Sequence, residues 1–167
     1  AIMEGTDIRY EGKNARLGQI MTAVVTDGPQ GKEYRLPTDH ERTVGQVGKD
    51  YVRMIFEDVK FGLPEEPLPT VDRHRAVGSQ LPGYGLTKWA DMFSHRQLVV
   101  LGTLLKILRA SGEHSMSQYD DVWKNALRSY LAIVIDKTAD YGSALATWIV
   151  GMEIVRGTFA RFAFSWC

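Results

Sequence analysis

Tyr84, Lys88, Trp89, Arg96 and Gln97 are residues of the types that hold a nucleic-acid strand, gathered within fourteen positions. Aromatic faces stack on an unpaired base, while the Lys88 ammonium and the Arg96 guanidinium neutralise phosphates. A helix begins among them, and its free N–H groups and dipole favour an anion at the same end. The competing reading makes Tyr84 and Trp89 core residues. Other chemistries are less well signalled. Asp91 and His95 have the i, i+4 spacing of helical metal ligands, but Ser94 reads as an N-cap that leaves Asp91 outside the helix, and no third ligand is indicated. Ser94, Ser115 and Ser117 lack the surroundings of a nucleophile and read as caps. Asp136, Lys137 and Asp140 gather at the end of an apolar helix, where a plain charge cluster competes with a site.

The elements that would position these groups start from the stretch 82–108. Ser94 and Gln97 form a capping box, Phe93 and Leu98 a hydrophobic staple, and Leu98, Val99, Leu101, Leu104, Leu105 and Leu108 an apolar helical face. Gly83 and Gly85 flank Tyr84 in a turn. Upstream, residues 1–17 are charged and read as a solvated strand or loop, or as a phosphate-contacting arm through Arg9, Lys13 and Arg16 around Gly12. Gln19–Thr26 and Lys32–Leu36, joined through Gly28–Gly31, predict a β-hairpin. Thr38 and Glu41 form a second capping box, and Val44, Val47, Tyr51, Ile55 and Val59 predict one helix to about Lys60, weakened where Gly45 and Gly48 let a neighbour approach. Four prolines between Gly62 and Pro82 predict an extended surface loop.

Downstream, Ser111–Ser115 predicts a break and a second long helix starts at Ser115 or Ser117. Its predicted buried face is Tyr119, Val122, Trp123, Ala126, Leu127, Tyr130, Leu131 and Val134, with the apolar run 130–135 enclosed by protein and Gly142 as the stop. Ala144–Val150 and Ile154–Trp166 read as short helices. The expected fold is therefore α+β and mostly helical. It is one module, with a β-hairpin region (1–37), a helix (38–61), a Pro-rich loop (62–87) and a helical bundle (88–167).

Twenty basic and twenty acidic residues balance to zero net charge, so no global field draws the chain onto DNA or an anionic membrane. Any DNA contact must come from a local patch. The single cysteine, Cys167, excludes an internal disulfide framework and fits a reducing, cytoplasmic setting. The uncharged run from Tyr141 to Met152 falls short of the roughly 20 residues needed to span a bilayer, so no membrane role is expected. A start at Ala1 and an apolar stop at Trp166–Cys167 lead us to expect a fragment of a larger protein.

The string YGLTKWADMF at 84–93, followed by RQL at 96–98, resembles a segment of the adenine-specific DNA methylases. These large prokaryotic proteins combine a zinc ribbon with a split S-adenosylmethionine-dependent methyltransferase domain. Three further pieces agree in order and spacing: RYEGKNARLG at 9–18 followed by IMTAVV at 20–25 and GKEYRLP at 31–37, then YLAIVIDKTADYGSALATW at 130–148, and TFARFAF at 158–164. The resemblance implies methyl transfer from S-adenosylmethionine to adenine in DNA by the complete enzyme. DNA and the remainder of the methyltransferase chain would be its partners. It also implies a place for Asp140 and Ser143 in the active-site wall. The Asp-Pro-Pro-aromatic motif that would bind the target amine is missing, since no two prolines are adjacent, and one cysteine cannot make a zinc ribbon. The expectation is thus a scaffold and DNA-facing module without cofactor, catalytic or metal residues of its own. The alternative is a non-catalytic helical protein-interaction module.

Overall fold

Local caps set where the principal helices begin in the computed structural model, which describes residues 4–69, 80–114 and 116–159. Ser94 N–H donates to Gln97 Oε1 at 2.7 Å and Gln97 N–H to Ser94 Oγ at 3.4 Å, starting the long helix α4 at His95–His114. In the same way Thr38 and Glu41 satisfy each other's N–H groups (2.8 and 3.2 Å) and start a short helix at Asp39–Val44. The chain order is α1 (Gly5–Lys13), β1 (Val24–Gly28), β2 (Gly31–Arg35), α2 (Asp39–Val44), α3 (Lys49–Glu57), α4, α5 (Asp121–Tyr141), β3 (Thr147–Ile149) and β4 (Ile154–Arg156). The fold is α+β, mostly helical, with a two-stranded antiparallel hairpin early in the chain. Val24 pairs with Arg35 and Gly28 with Gly31, closing the turn over Pro29 and Gln30.

Several expectations are corrected. Residues 5–13 are helical, held at the start by Glu4 N–H on Asp7 Oδ2 at 2.9 Å, instead of a strand or loop. The helix expected from 38 to 60 is two helices, because Gly45 closes α2 and Gly48 stands as the N-cap of α3. Two glycines so close lose more backbone entropy in a helix than the intervening residues regain by staying helical. Helix α4 continues to His114, past the expected break at Ser111. The N-cap of α5 is Asp120, whose carboxylate accepts from Trp123 N–H at 2.9 Å, so neither Ser115 nor Ser117 starts it. Residues 147–149 and 154–156 form an antiparallel hairpin where short helices were expected. β-Branched Thr147, Ile149, Ile154 and Val155 favour that pairing. The rest of that expected second helix, 160–166, and the middle of the Pro-rich loop, 70–79, lie outside the described residues.

Packing is concentrated in two apolar clusters. Val52, Phe56 and Val59 close on Leu98 in the first, and Leu68, Leu81 and Met92 form the second, with Phe93 packed against both. Helix α4 meets α3 closely at Gly102, where a Cβ would stand 2.7 Å from Ile55 Cγ2 and 2.9 Å from Phe56 Cε2. α1 lies on the 3-10 turn Leu81–Tyr84, and the Gly12 and Gly85 backbones touch so closely that a Cβ on either would overlap the other segment. Gly85 also needs its left-handed φ of 84° to end that turn. The two flanks of the Pro-rich loop are tied to each other: Leu68 N–H donates to Thr87 O at 2.8 Å and Trp89 N–H to Glu66 O at 3.2 Å.

The largest correction concerns α5. None of its residues is buried. Val122 is 79%, Tyr130 71%, Trp123 61%, Val134 58% and Ile133 54% exposed, so the face expected to fill a bundle is bare. Helix α4 covers one side of α5 and nothing among the described residues covers the other.

Candidate functional site

The Pro-rich segment, the turn around Tyr84 and the starts of α3 and α4 enclose a groove of about 720 Å³. Tyr84 and Lys88 line it together with Lys49 and Arg53 of α3, and Glu65 and Asp91 add carboxylates. Packing of α3 on α4 brings the two α3 cations within reach of the turn, although they stand more than thirty residues away in sequence. No local motif marks Lys49 or Arg53. What marks them is only their position in the first turns of a helix that the Val52–Phe56–Leu98 cluster locks against α4.

The electrostatics of the groove are largely internal. Lys88 Nζ lies 3.1 Å from Glu65 Oε1, and Arg53 pairs with Asp50 at 3.5 Å. Asp91 accepts from the N–H groups of Thr87 (2.8 Å) and Lys88 (2.9 Å), so its carboxylate closes the turn before Trp89. The His95 ring nitrogen Nδ1 sits 2.8 Å from Val47 O; since a carbonyl only accepts, Nδ1 carries the proton and the ring bridges α4 to the segment before α3. Among the described residues no group of three or more His, Cys, Asp or Glu is arranged to hold a metal. Lys49 makes no ion pair among those residues, which leaves it as the cation most available to an incoming anion.

The five residues proposed from sequence do not form one surface. Tyr84 and Lys88 share the groove, with the Arg9 guanidinium 5.1 Å above the Tyr84 ring. Trp89 instead packs against the Leu68–Leu81–Met92 cluster and lies 6.4 Å from the Phe159 ring. Gln97 is used by the α4 cap. Arg96 is exposed beside a second, shallower cavity of about 560 Å³, with Met21, Val24, His40 and Val44 around it. Within that cavity Glu41 is already engaged. Arg35 grips its carboxylate at 2.6 and 2.8 Å and Thr38 adds further hydrogen bonds, which together hold the Glu41 carboxyl far below the usual glutamate range.

Asp140 and Ser143 tie the C-terminal hairpin to the end of α5. Phe159 N–H donates to Asp140 Oδ1 at 2.8 Å, and Thr158 N–H donates to the Asp140 carbonyl at 3.0 Å. Ser143 is buried, bonds the Thr158 hydroxyl and accepts from Leu145 N–H at 3.0 Å. Lys137 approaches Asp140 to 3.9 Å from the exposed side. Asp140 and Ser143 thus share one local network, and it stands apart from the groove residues named above.

Among the described residues no helix is long and apolar enough to cross a membrane. In comparisons with family models, curated proteins and solved structures, nothing matches this chain.

Proposed function

We propose that this chain is a scaffold module of a larger protein, and that the larger protein is an S-adenosylmethionine-dependent adenine-specific DNA methyltransferase. The observation that carries the scaffold reading is α5: a helix of 21 residues with no buried residue and a wide apolar surface. A patch of that size, contiguous along one helix, is the mark of a surface that another polypeptide covers. The enzyme class rests on the resemblance of segments within 9–37, 84–98, 130–148 and 158–164 to the methylase family. DNA would be met through the groove that Tyr84, Lys88, Lys49 and Arg53 line, which offers one aromatic side chain and three cations.

The chain brings no cofactor-binding or catalytic group of its own to this reading. Purified alone, it is expected to transfer no labelled methyl groups to DNA; incorporation above background overturns the proposal. Reading the source gene in frame on both sides tests the class directly. Paired cysteines and a Gly-rich turn upstream, with an Asp-Pro-Pro-aromatic motif downstream, are the expected finding. Start and stop codons at the two ends would favour the alternative of a free-standing interaction module, which the bare α5 face also supports.

A further inference from the structure

The groove beside Tyr84 already holds an anion of its own. Glu65 and Asp91 are the two carboxylates among its described lining residues, and they are used differently. Asp91 is committed to the backbone, where it accepts from the Thr87 and Lys88 N–H groups. Glu65 instead accepts from the Lys88 ammonium, at 3.1 Å. The main chain on either side fixes its position. Ala90 N–H donates to Pro64 O at 2.9 Å, Trp89 N–H to Glu66 O at 3.2 Å and Leu68 N–H to Thr87 O at 2.8 Å, and Pro67 and Lys88 form an antiparallel bridge. Segments 64–68 and 87–90 are thus bonded to each other, and only side-chain rotation takes the Glu65 carboxylate away from Lys88.

We propose that Glu65 is a built-in competitor for Lys88: its carboxylate stands where a phosphate oxygen would, so an anion reaches Lys88 only by displacing it. The inference rests on the reading of this groove as the DNA-facing surface, and it adds which anions the groove accepts. The Lys88 and Glu65 side chains are 46% and 62% exposed, so the exchange requires no unfolding and the pair is a weak one. A lone phosphate gains little by taking the place of one carboxylate on one ammonium. A chain of linked phosphates gains more. Lys49 lines the same groove and makes no ion pair among the described residues, so a phosphate held there raises the effective concentration of its neighbour at Lys88. Glu65 thereby sets the groove against single small anions and in favour of a strand that engages both lysines.

The test titrates the full chain with a short single-stranded oligothymidylate and with linear inorganic polyphosphate, using orthophosphate as competitor. Glu65→Gln is expected to tighten both polyanions about two- to fivefold, the range of an exposed ion pair. It should also steepen the salt dependence of oligonucleotide binding by about 0.7, the increment of one more phosphate contact on a single strand. The gain should vanish when Lys88→Ala is added. Glu66→Gln removes the same charge one residue away, from a side chain outside the described groove lining, and should change affinity little. Equal gains from Glu65→Gln and Glu66→Gln, or a Glu65→Gln gain that persists beside Lys88→Ala, overturn the proposal and leave the DNA reading standing. Orthophosphate that competes as well as polyphosphate, phosphate for phosphate, also overturns it. The full pattern with polyphosphate and no binding of the oligonucleotide overturns the DNA reading alone, and no binding of either polyanion by Glu65→Gln overturns both.

Discussion

Replacing Gly102 by alanine sets two opposite effects against each other at one atom. Gly102 lies inside α4, where alanine by itself would add about 1 kcal/mol of helix propensity. The new Cβ would stand 2.7 Å from Ile55 Cγ2 and 2.9 Å from Phe56 Cε2, well inside the ~3.5–4.0 Å optimum for carbon pairs. Neither neighbour gives way easily. Ile55 is β-branched and holds one preferred rotamer on a helix, while the Phe56 ring is fixed in the buried cluster with Val52, Val59 and Leu98. Overpacking of this kind costs about 1–3 kcal/mol, so the clash outweighs the propensity gain and Gly102→Ala is destabilising by about 1 kcal/mol. Gly102→Leu adds three more carbons at the same place and should lose about 3 kcal/mol. Urea unfolding reads both. With a slope of about 2 kcal/mol per molar, the alanine variant unfolds roughly 0.5 M earlier. Phe56→Leu in the same chain should relieve part of the alanine clash, giving a non-additive double-mutant cycle. A Gly102→Ala midpoint that rises would refute the reasoning, since it would mean that propensity acts unopposed and that α3 is not seated on Gly102.

Phe56→Ala is expected to lose about 3–5 kcal/mol while Trp123→Ala stays within about 0.5 kcal/mol in the isolated chain, a contrast that denaturation curves check. Asp120→Ala removes the acceptor for Trp123 N–H and should cost ~1 kcal/mol, read as lost helicity in α5 by amide exchange. Acid should act through Glu41. Arg35 first, then Thr38, lower its carboxyl in the folded chain below the ordinary 4.5, so the stabilisation is complete above that value and disappears as pH falls from it toward the lower folded one. Glu41→Gln should flatten that acid limb in a pH series of melting temperatures, and an unchanged limb would contradict the assignment. On the proposed reading, Lys49→Ala with Lys88→Ala in the larger protein should weaken DNA binding and reduce its salt slope, whereas Gln97→Ala should alter α4 stability alone.

Much of the chain is legible in its sequence because its instructions are short-range. Ser94 with Gln97 and Thr38 with Glu41 name helix starts whose partners are three residues apart. Gly28–Gly31 between two β-rich runs names the hairpin in the same way. The misread segments are those in which neighbours in space decide. Residues 5–13 are too polar to show a periodic face, and their helix is held against the turn at Tyr84 by the Gly12–Gly85 contact. The β3–β4 pairing is anchored by Asp140 and Ser143, which reach residues 15 or more positions further on. Apolarity also misled in α5. The side chains of Trp123, Tyr130 and Ile133 specify a face that has to be covered, but hydrophobicity carries no direction and cannot say whether the cover comes from the same module.

The candidate site divides along the same line. The residue types were set by the sequence: aromatic and basic groups around positions 84–97, no second cysteine, no adjacent prolines, and balanced charge. Their grouping was decided by the packing of α3 on α4, which joined Lys49 and Arg53 to Tyr84 and Lys88 in one groove. The same packing turned Trp89 toward the core and left Arg96 over a different cavity. Caps and turns close over three or four residues and so are written locally. Convergence of side chains from distant segments depends on how helices seat against one another, and here that seating runs through a single missing Cβ at Gly102.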